Sequence, residues 1–201
     1  MLKKFTALTA LLAAMSVLAA CGGNDDAPDP ETHTAANGDE FNDADVEFAS
    51  DMIQHHAQAL AMVDLTTGRQ LDPEVQQLAE DIRAAQAPEI EQMTDWLTDW
   101  DQPIPETVRD HANAHGDGEM EMESDMPGMM SAEEMAELEA AKGAEFQQMW
   151  LEMMTEHHEG AIEMAQTEQS DGKFGPAVDL AEDIESAQQE EISTMESLLG
   201  S

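Results

Sequence analysis

The amino-acid sequence predicts an all-α protein, a four-helix bundle made of two duplicated helix hairpins joined by a long methionine-rich crossover loop. Three observations predict this fold. Residues 48–97 align with residues 150–199 at a constant offset and without a gap. In both copies the apolar residues recur at steps of four and three, which is the spacing of a helix packed in a bundle. The chain has no tyrosine and few β-branched residues in series, so strand signals are absent.

Residues 1–20 have the pattern of a signal peptide. Lys3 and Lys4 form a basic start, and the apolar run that follows ends in small residues and is too short to span a membrane. The ending Leu-Ala-Ala-Cys resembles the lipobox of bacterial lipoproteins. It implies that Cys21 is lipidated and anchors the protein at the cell membrane, facing the periplasm or the extracellular side. An ordinary secretion signal followed by an unrelated cysteine is the alternative.

The charge balance of the chain is extreme, with 45 acidic residues against 7 lysines and arginines. A surface of this sign repels nucleic acid and anionic lipid headgroups, so we expect neither as a partner. It also attracts cations, although solubility or a salty habitat is the simpler explanation. Cys21 is the only cysteine, which excludes disulfides within the chain and a thiolate metal site.

The first repeat, residues 41–102, follows a segment rich in glycine, proline and aspartate. This segment, residues 21–40, is predicted to be a disordered acidic tether. The first helix should start within residues 41–45 and end near Thr67, where Gly68 provides a stop.

The second helix has a clear start signal. Asp72 provides an N-cap, and Pro73 follows at the first helical position. Pro88 lies within the helix, where it forfeits a hydrogen bond and favours a kink. The second repeat has Glu190 at that position, so the architecture does not require a kink.

The Met-rich linker, residues 103–130, separates the first repeat from the second, residues 131–199. One long connection between two hairpins is consistent with ferritin-like topology. Ser131, with Glu134 three residues on, forms a capping box and should open one continuous helix that ends near Gln169. A turn of glycine and proline then leads into the last helix, which runs to the end of the chain.

A pair of adjacent histidines recurs in the two repeats. The helical seam places His55 and His157 on the inward face, each one turn after a methionine. Neutral imidazole suits copper, zinc and iron, whereas a thioether selects Cu(I) or Ag(I), so the combination favours copper and Cu(I) in particular. The candidate metal ligands in the repeats are Met52, His55, His56, Met62, Met154, His157, His158 and Met164.

The competing interpretation is that these residues fill the core. Methionines at this spacing usually do so. Two inward histidines at matching points are harder to explain in this way, because burying an imidazole without a partner costs roughly 1 to 3 kcal/mol each. Glu89 and Glu191 lie on the inner stripe of the second and last helices. They are candidate acceptors that would fix an imidazole N–H, or else carboxylates at the edge of the seam.

The linker holds a weaker set of candidates. No apolar periodicity organises it, so we expect a long loop. A flexible methionine cluster can capture a soft metal ion or provide an apolar docking surface. The weaker candidate ligands are His111, His115, Met120, Met122, Met126, Met129 and Met130, together with Met153 of the second repeat.

The histidine pairs in their context resemble the DUF305 family of domains of unknown function. The sequence from Phe48 to Met62, its echo from Met153 to Ala165 and the run from Met126 to Met130 carry the resemblance, which covers both repeats. The family is similar to ferritin-like bundles and includes a copper-resistance protein. The resemblance therefore implies an extracytoplasmic copper-binding protein. Asp51 stands where the second repeat has Met153, so the two repeats need not bind alike.

We therefore expect a membrane-tethered lipoprotein that binds copper, as Cu(I) or Cu(II), for buffering, resistance or transfer to an export partner that the sequence does not identify. The enzyme alternative is a ferritin-like di-metal oxidase. Such a site uses Glu-x-x-His, and no glutamate stands three residues before any of the four paired histidines. The other alternative is a structural acidic surface lipoprotein without metal.

Overall fold

Five α-helices and one pair of two-residue strands form the described part of the chain, residues 32–109 and 126–200 of the computed structural model. The helices are α1 Asp43–Asp64, α2 Pro73–Asp99, α3 Ala132–Ala140, α4 Ala144–Asp171 and α5 Gly175–Leu199. The predicted all-α class is confirmed.

Several predictions concern residues that the structure does not describe. The signal peptide, the lipidated Cys21 and most of the tether lie outside the described residues. So do four of the linker candidates, His111, His115, Met120 and Met122. None of the described helices is long and apolar enough to cross a membrane.

Side chains fix the starts of two helices. At α1, Asn42 accepts a hydrogen bond from the backbone N–H of Asp45, whose carboxylate accepts one from the N–H of Asn42 in return. Ser131 and Glu134 form the predicted reciprocal box at α3. Asp72 precedes α2 as predicted, but its side chain makes no hydrogen bond to that helix.

The prediction of one continuous helix from Ser131 to about Gln169 is wrong, because α3 and α4 are separate helices. The backbone is extended at Ala141, with ψ of 154°, and Gly143 has a φ of 58°. Glycine adopts positive φ without the strain that a side chain causes. The break leaves α3 as a short helix that packs on α4 and buries Leu138 completely.

The predicted disordered tether also needs correction, because residues 32–40 are ordered. Strands β1, His33–Thr34, and β2, Glu40–Phe41, pair antiparallel. Phe41 is buried and stacks on Trp100 at 4.5 Å between ring centroids. One aromatic anchor at the end of the segment therefore holds a stretch whose composition alone indicates disorder.

The four long helices form the bundle. α1 packs against α2 and α4, and α5 packs against α4. Trp150, near the start of α4, donates its indole N–H to the carbonyl of Met62 near the end of α1, at 3.0 Å. α1 and α4 are therefore antiparallel. The core divides into two apolar clusters, one at each end of the bundle, and the paired histidines lie between them.

Residues 126–130, which the sequence assigned to the loop, pack between α1 and α4; we call them the strap. The side-chain amide of Gln58 donates to the carbonyl of Met130 at 2.7 Å and accepts from its N–H at 2.8 Å. On the other side, Gly128 lies against the backbone of α4. The strap is therefore held by α1 and rests closely on α4.

Candidate metal centre

The four paired histidines meet in the middle of the bundle, and all four are fully buried. The rings of His55 and His157 are in contact, with 3.7 Å between centroids and 42° between planes. These two residues occupy the same position in the two repeats. Because α1 and α4 are antiparallel and these equivalent residues are in contact, the histidine pair marks the centre of the contact between the two repeats.

Each outer histidine is held by a carboxylate from the neighbouring helix. Nε2 of His56 lies 2.7 Å from Oε2 of Glu89, and Nε2 of His158 lies 2.7 Å from Oε2 of Glu191. A carboxylate accepts, so the ring nitrogen Nε2 carries a hydrogen, and in the neutral form of the ring Nδ1 keeps its lone pair. The structure thus places both predicted acceptors on the second histidine of each pair, not on the first.

Five buried ring nitrogens have no hydrogen-bond partner among the described residues. They are Nδ1 of His55, His56 and His158, and both nitrogens of His157. Nε2 of His55 donates to the carbonyl of Pro127 at 3.0 Å, which again leaves the lone pair on Nδ1. A buried polar group without a partner costs about 1 to 3 kcal/mol. The same lone pairs are the donors that metal ions bind.

The buried environment keeps the central pair uncharged. Burial, and then the charge of a protonated His56, lower the pKa of His55 to about 3. Burial, followed by the charge of a protonated His55, lowers the pKa of His157 well below its usual range. Both rings are therefore neutral near pH 7, which is the form that coordinates metals.

Two of the predicted methionines lie next to the histidines. Met52 and Met154 are fully buried and stand three residues before His55 and His157, on the same helix faces. Three residues of helix, about 4.5 Å along the axis, separate each methionine from its histidine. The centre therefore combines borderline nitrogen donors with neighbouring candidate sulfur donors.

Other predicted methionines lie elsewhere. Met62 and Met164 stand seven residues beyond the histidines, which is about 10 Å along a helix, so they do not share one ion with those rings. Met130 is buried in the core, whereas Met129 and Met153 are half-buried. Met126 and Met164 both line a cavity between α1 and α4.

The arrangement of donors limits which metal fits. In the described ranges, no three side chains of His, Cys, Asp or Glu converge so as to hold a metal ion. Zinc sites are usually four-coordinate with such ligands. Among the described residues no zinc site of this kind is preformed. Thioether ligands, by contrast, select soft ions such as Cu(I).

A further duplicated polar pair was missed from the sequence. Gln86 and Gln188 are buried three residues before Glu89 and Glu191, on the same helix faces. Both amide atoms of Gln86, and Oε1 of Gln188, have no partner within the described part of the chain. The signal was available, because an identical polar residue interrupts the same apolar stripe in both repeats.

Solved structures of DUF305 proteins share this fold. A DUF305 fragment from Deinococcus radiodurans is 31% identical, with 84% of this chain and 99% of that chain covered and a TM-score of 0.66. A secreted DUF305 protein from Streptomyces coelicolor is 34% identical over 78% of this chain and 92% of its own, with a TM-score of 0.67.

The fold is also similar to that of CopM. Its Cu(II)-bound form is 24% identical, with 78% of this chain and 95% of that chain covered and a TM-score of 0.62. Its Cu(I)-bound form gives a TM-score of 0.60 at the same identity. No curated protein matches the chain. The model of the domain of unknown function DUF305 matches residues 45–199. The chain therefore belongs to the DUF305 family.

Proposed function

We propose that the protein binds copper, with Cu(I) preferred, at the histidine cluster in the middle of the bundle. The supporting observation is the set of five buried ring nitrogens without partners at the contact between the two repeats. A purely structural core has no use for these unpaired ring nitrogens, and apolar side chains of similar volume would avoid their cost.

The roles follow from the positions. His55 and His157 are the central ligands, and Met52 and Met154 supply the thioethers that favour a soft ion. His56 and His158 flank that pair, and Glu89 and Glu191 hold the hydrogen at Nε2 of each. Their Nδ1 atoms would join the site only after a side-chain movement, because no three of these side chains converge in the described residues. The similarity to CopM, which has structures with bound Cu(I), Cu(II) and silver, is consistent with this metal preference.

The proposed location is outside the cytoplasm, on a lipid anchor. The support is the sequence of residues 1–21, in which a short apolar run ends in Leu-Ala-Ala-Cys. The protein would then buffer copper or pass it on at the membrane. Cys21→Ser should move it from the membrane fraction to the soluble fraction, and a variant that still sediments with membranes after a salt wash would refute the anchor.

The test of copper binding compares thermal unfolding with and without Cu(I). Metal that binds only the folded state stabilises it by RT ln(1 + [L]/Kd), so the wild-type melting temperature should rise with Cu(I). In the double variant His55→Leu, His157→Leu most of this rise should disappear. Competition with a chromophoric Cu(I) chelator provides the affinity independently of stability.

The matched control is His33→Leu, since this histidine pairs with Asp43 at the surface, outside the cluster. It should keep the full shift. An undiminished shift in the double variant, or displacement of Cu(I) by Zn(II) at equal free concentration, would contradict the proposal.

A further inference from the structure

The groove between α1 and α4 is filled by the strap on one side of the central histidines and is open on the other. The open part is a cavity of about 390 Å³. It lies between the first half of α1 and the second half of α4, and Met126 and Pro127 of the strap close it at one end. Sequence reasoning did not indicate that Met126 of the linker and Met164 of the bundle would share one cavity.

The cavity lies where the two repeats differ. Phe48 and Met164, in its wall, correspond by the repeat to Trp150 and Met62 at the other end of the bundle. There the indole of Trp150 is fully buried and bonded to Met62. The smaller Phe48 has no N–H to donate, and Met164 remains half-buried. One end of the groove is therefore packed and the other is open.

The wall combines soft sulfur with negative charge. Met126 and Met164 are half-buried and supply two thioethers from two different elements. Asp51 and the exposed Glu163 lie on the wall as well. A thioether pair selects a soft ion, and the adjacent carboxylates compensate its charge in a partly dehydrated site.

Glu168 also lines the cavity and is only 1% exposed. Burial, and then the hydrogen bond to Asp45 and the charge of Asp45, raise the pKa of Glu168 to about 9. Its carboxyl is therefore protonated near pH 7, and the negative charge of the wall comes from the other carboxylates, Asp51 and Glu163 among them.

We propose that this cavity is a second metal site, which binds Cu(I) or Ag(I) between the thioethers of Met126 and Met164 with Asp51 and Glu163 as the compensating carboxylates. The proposal rests on the copper binding proposed above and adds an outer site to the central one. Pro127 connects the two, since it lines the cavity and its carbonyl accepts the hydrogen bond from His55. An ion in the cavity therefore lies against the same strap that covers the histidines.

The test is the stoichiometry of Cu(I) binding by the full chain, measured by competition with a chromophoric Cu(I) chelator. Met126→Leu with Met164→Leu should bind one equivalent fewer than the wild type, because leucine keeps the volume but lacks the sulfur. The matched control, Met135→Leu with Met149→Leu, changes two half-buried methionines at the other apolar cluster and should bind the wild-type number.

A second measurement locates the ion directly. Crystals grown with Ag(I) should show anomalous scattering in the cavity of the wild type, and this signal should disappear in the Met126→Leu, Met164→Leu variant. Unchanged stoichiometry and an unchanged silver signal in that variant would overturn the outer site. The central site is judged separately, because His55→Leu with His157→Leu should remove the central equivalent and keep the outer one. Loss of both equivalents in the histidine variant would also overturn an independent outer site.

Discussion

The two repeats make the same contacts at their outer histidines, His56 and His158, but different contacts at their central histidines, His55 and His157. The contact between His56 and Glu89 recurs as that between His158 and Glu191, with 2.7 Å between the same atoms in both. The central histidines are not equivalent. His55 donates to the strap, whereas neither nitrogen of His157 has a partner in the described residues.

The strap explains this difference. On the α1 side a side chain must hydrogen-bond to the strap, and on the α4 side a side chain must be absent to leave room for it. The two repeats therefore cannot carry the same residue at this position. Gln58 of α1 makes two hydrogen bonds to Met130, and the corresponding residue of α4 is Gly160. A Cβ atom on Gly160 would collide with the carbonyl oxygen of Pro127. The two repeats therefore keep the same residues where glutamates orient the histidines, and they differ where the strap crosses the groove.

The largest expected effect concerns the acid stability of the metal-free protein. The pKa of His55 is lowered to about 3 and that of His157 lies well below its usual 6.5. The unfolded chain binds these protons below pH 6.5 and the folded chain does not. The free energy of unfolding is therefore not reduced by these histidines above pH 6.5. It falls as the pH drops toward 3, by up to about 1.4 kcal/mol per pH unit for each histidine.

Urea unfolding across this pH range measures the effect and compares the two rings. Each of the variants His55→Leu and His157→Leu should reduce the slope. His157→Leu should be the more stable near pH 7, because His55→Leu also leaves the carbonyl of Pro127 without its donor. His33→Leu should keep the wild-type slope. If the double variant keeps it too, the central rings are not held neutral by the fold.

The next largest effect is expected at the groove. Gly160→Ala should push the strap away from α4 and cost about 1 to 3 kcal/mol, as overpacking does in a tight core. Gly175→Ala, at the start of α5, is the control, because nothing lies within 4 Å of a Cβ there. Denaturant midpoints compare the two. Equal stability of both variants would show that the strap does not pack as described.

The features of the structure that could be predicted from the sequence are those that recur periodically in it. Steps of four and three gave the long helices, and the repeat located the histidine pairs and the glutamates that hold them. The break between α3 and α4 was missed, although Gly143 was a visible signal, because the apolar pattern continues across it. The buried Gln86 and Gln188 could have been read from the repeat itself.

The strap could not be predicted in the same way. Five aperiodic residues bury little surface of their own, and their place depends on Gln58 reaching across the groove and on the missing side chain of Gly160. Neither residue is unusual in its own helix. The contact between Gln58 and Met130 joins positions 72 residues apart, and no local sequence pattern indicates it.

The smallest difference is expected between the variants Glu89→Gln and Glu191→Gln, which should change stability and Cu(I) affinity by nearly equal amounts. They therefore test whether the two repeats are equivalent at this layer. Each change replaces a carboxylate that accepts from a buried imidazole with a neutral amide. Each should therefore cost about 1 to 2 kcal/mol of stability in the metal-free protein, since hydrogen bonds to charged groups are the stronger ones. Each should also weaken Cu(I) binding by about tenfold or more, because the partner of a ligand nitrogen sets its orientation and basicity. Parallel denaturation and chelator competition on the two variants test both quantities. If the two costs are equal, the layer of His56 and His158 has kept its duplicated symmetry. A loss confined to one variant would mean that only one half of the bundle holds the metal, and that the asymmetry introduced by the strap extends to the ligands.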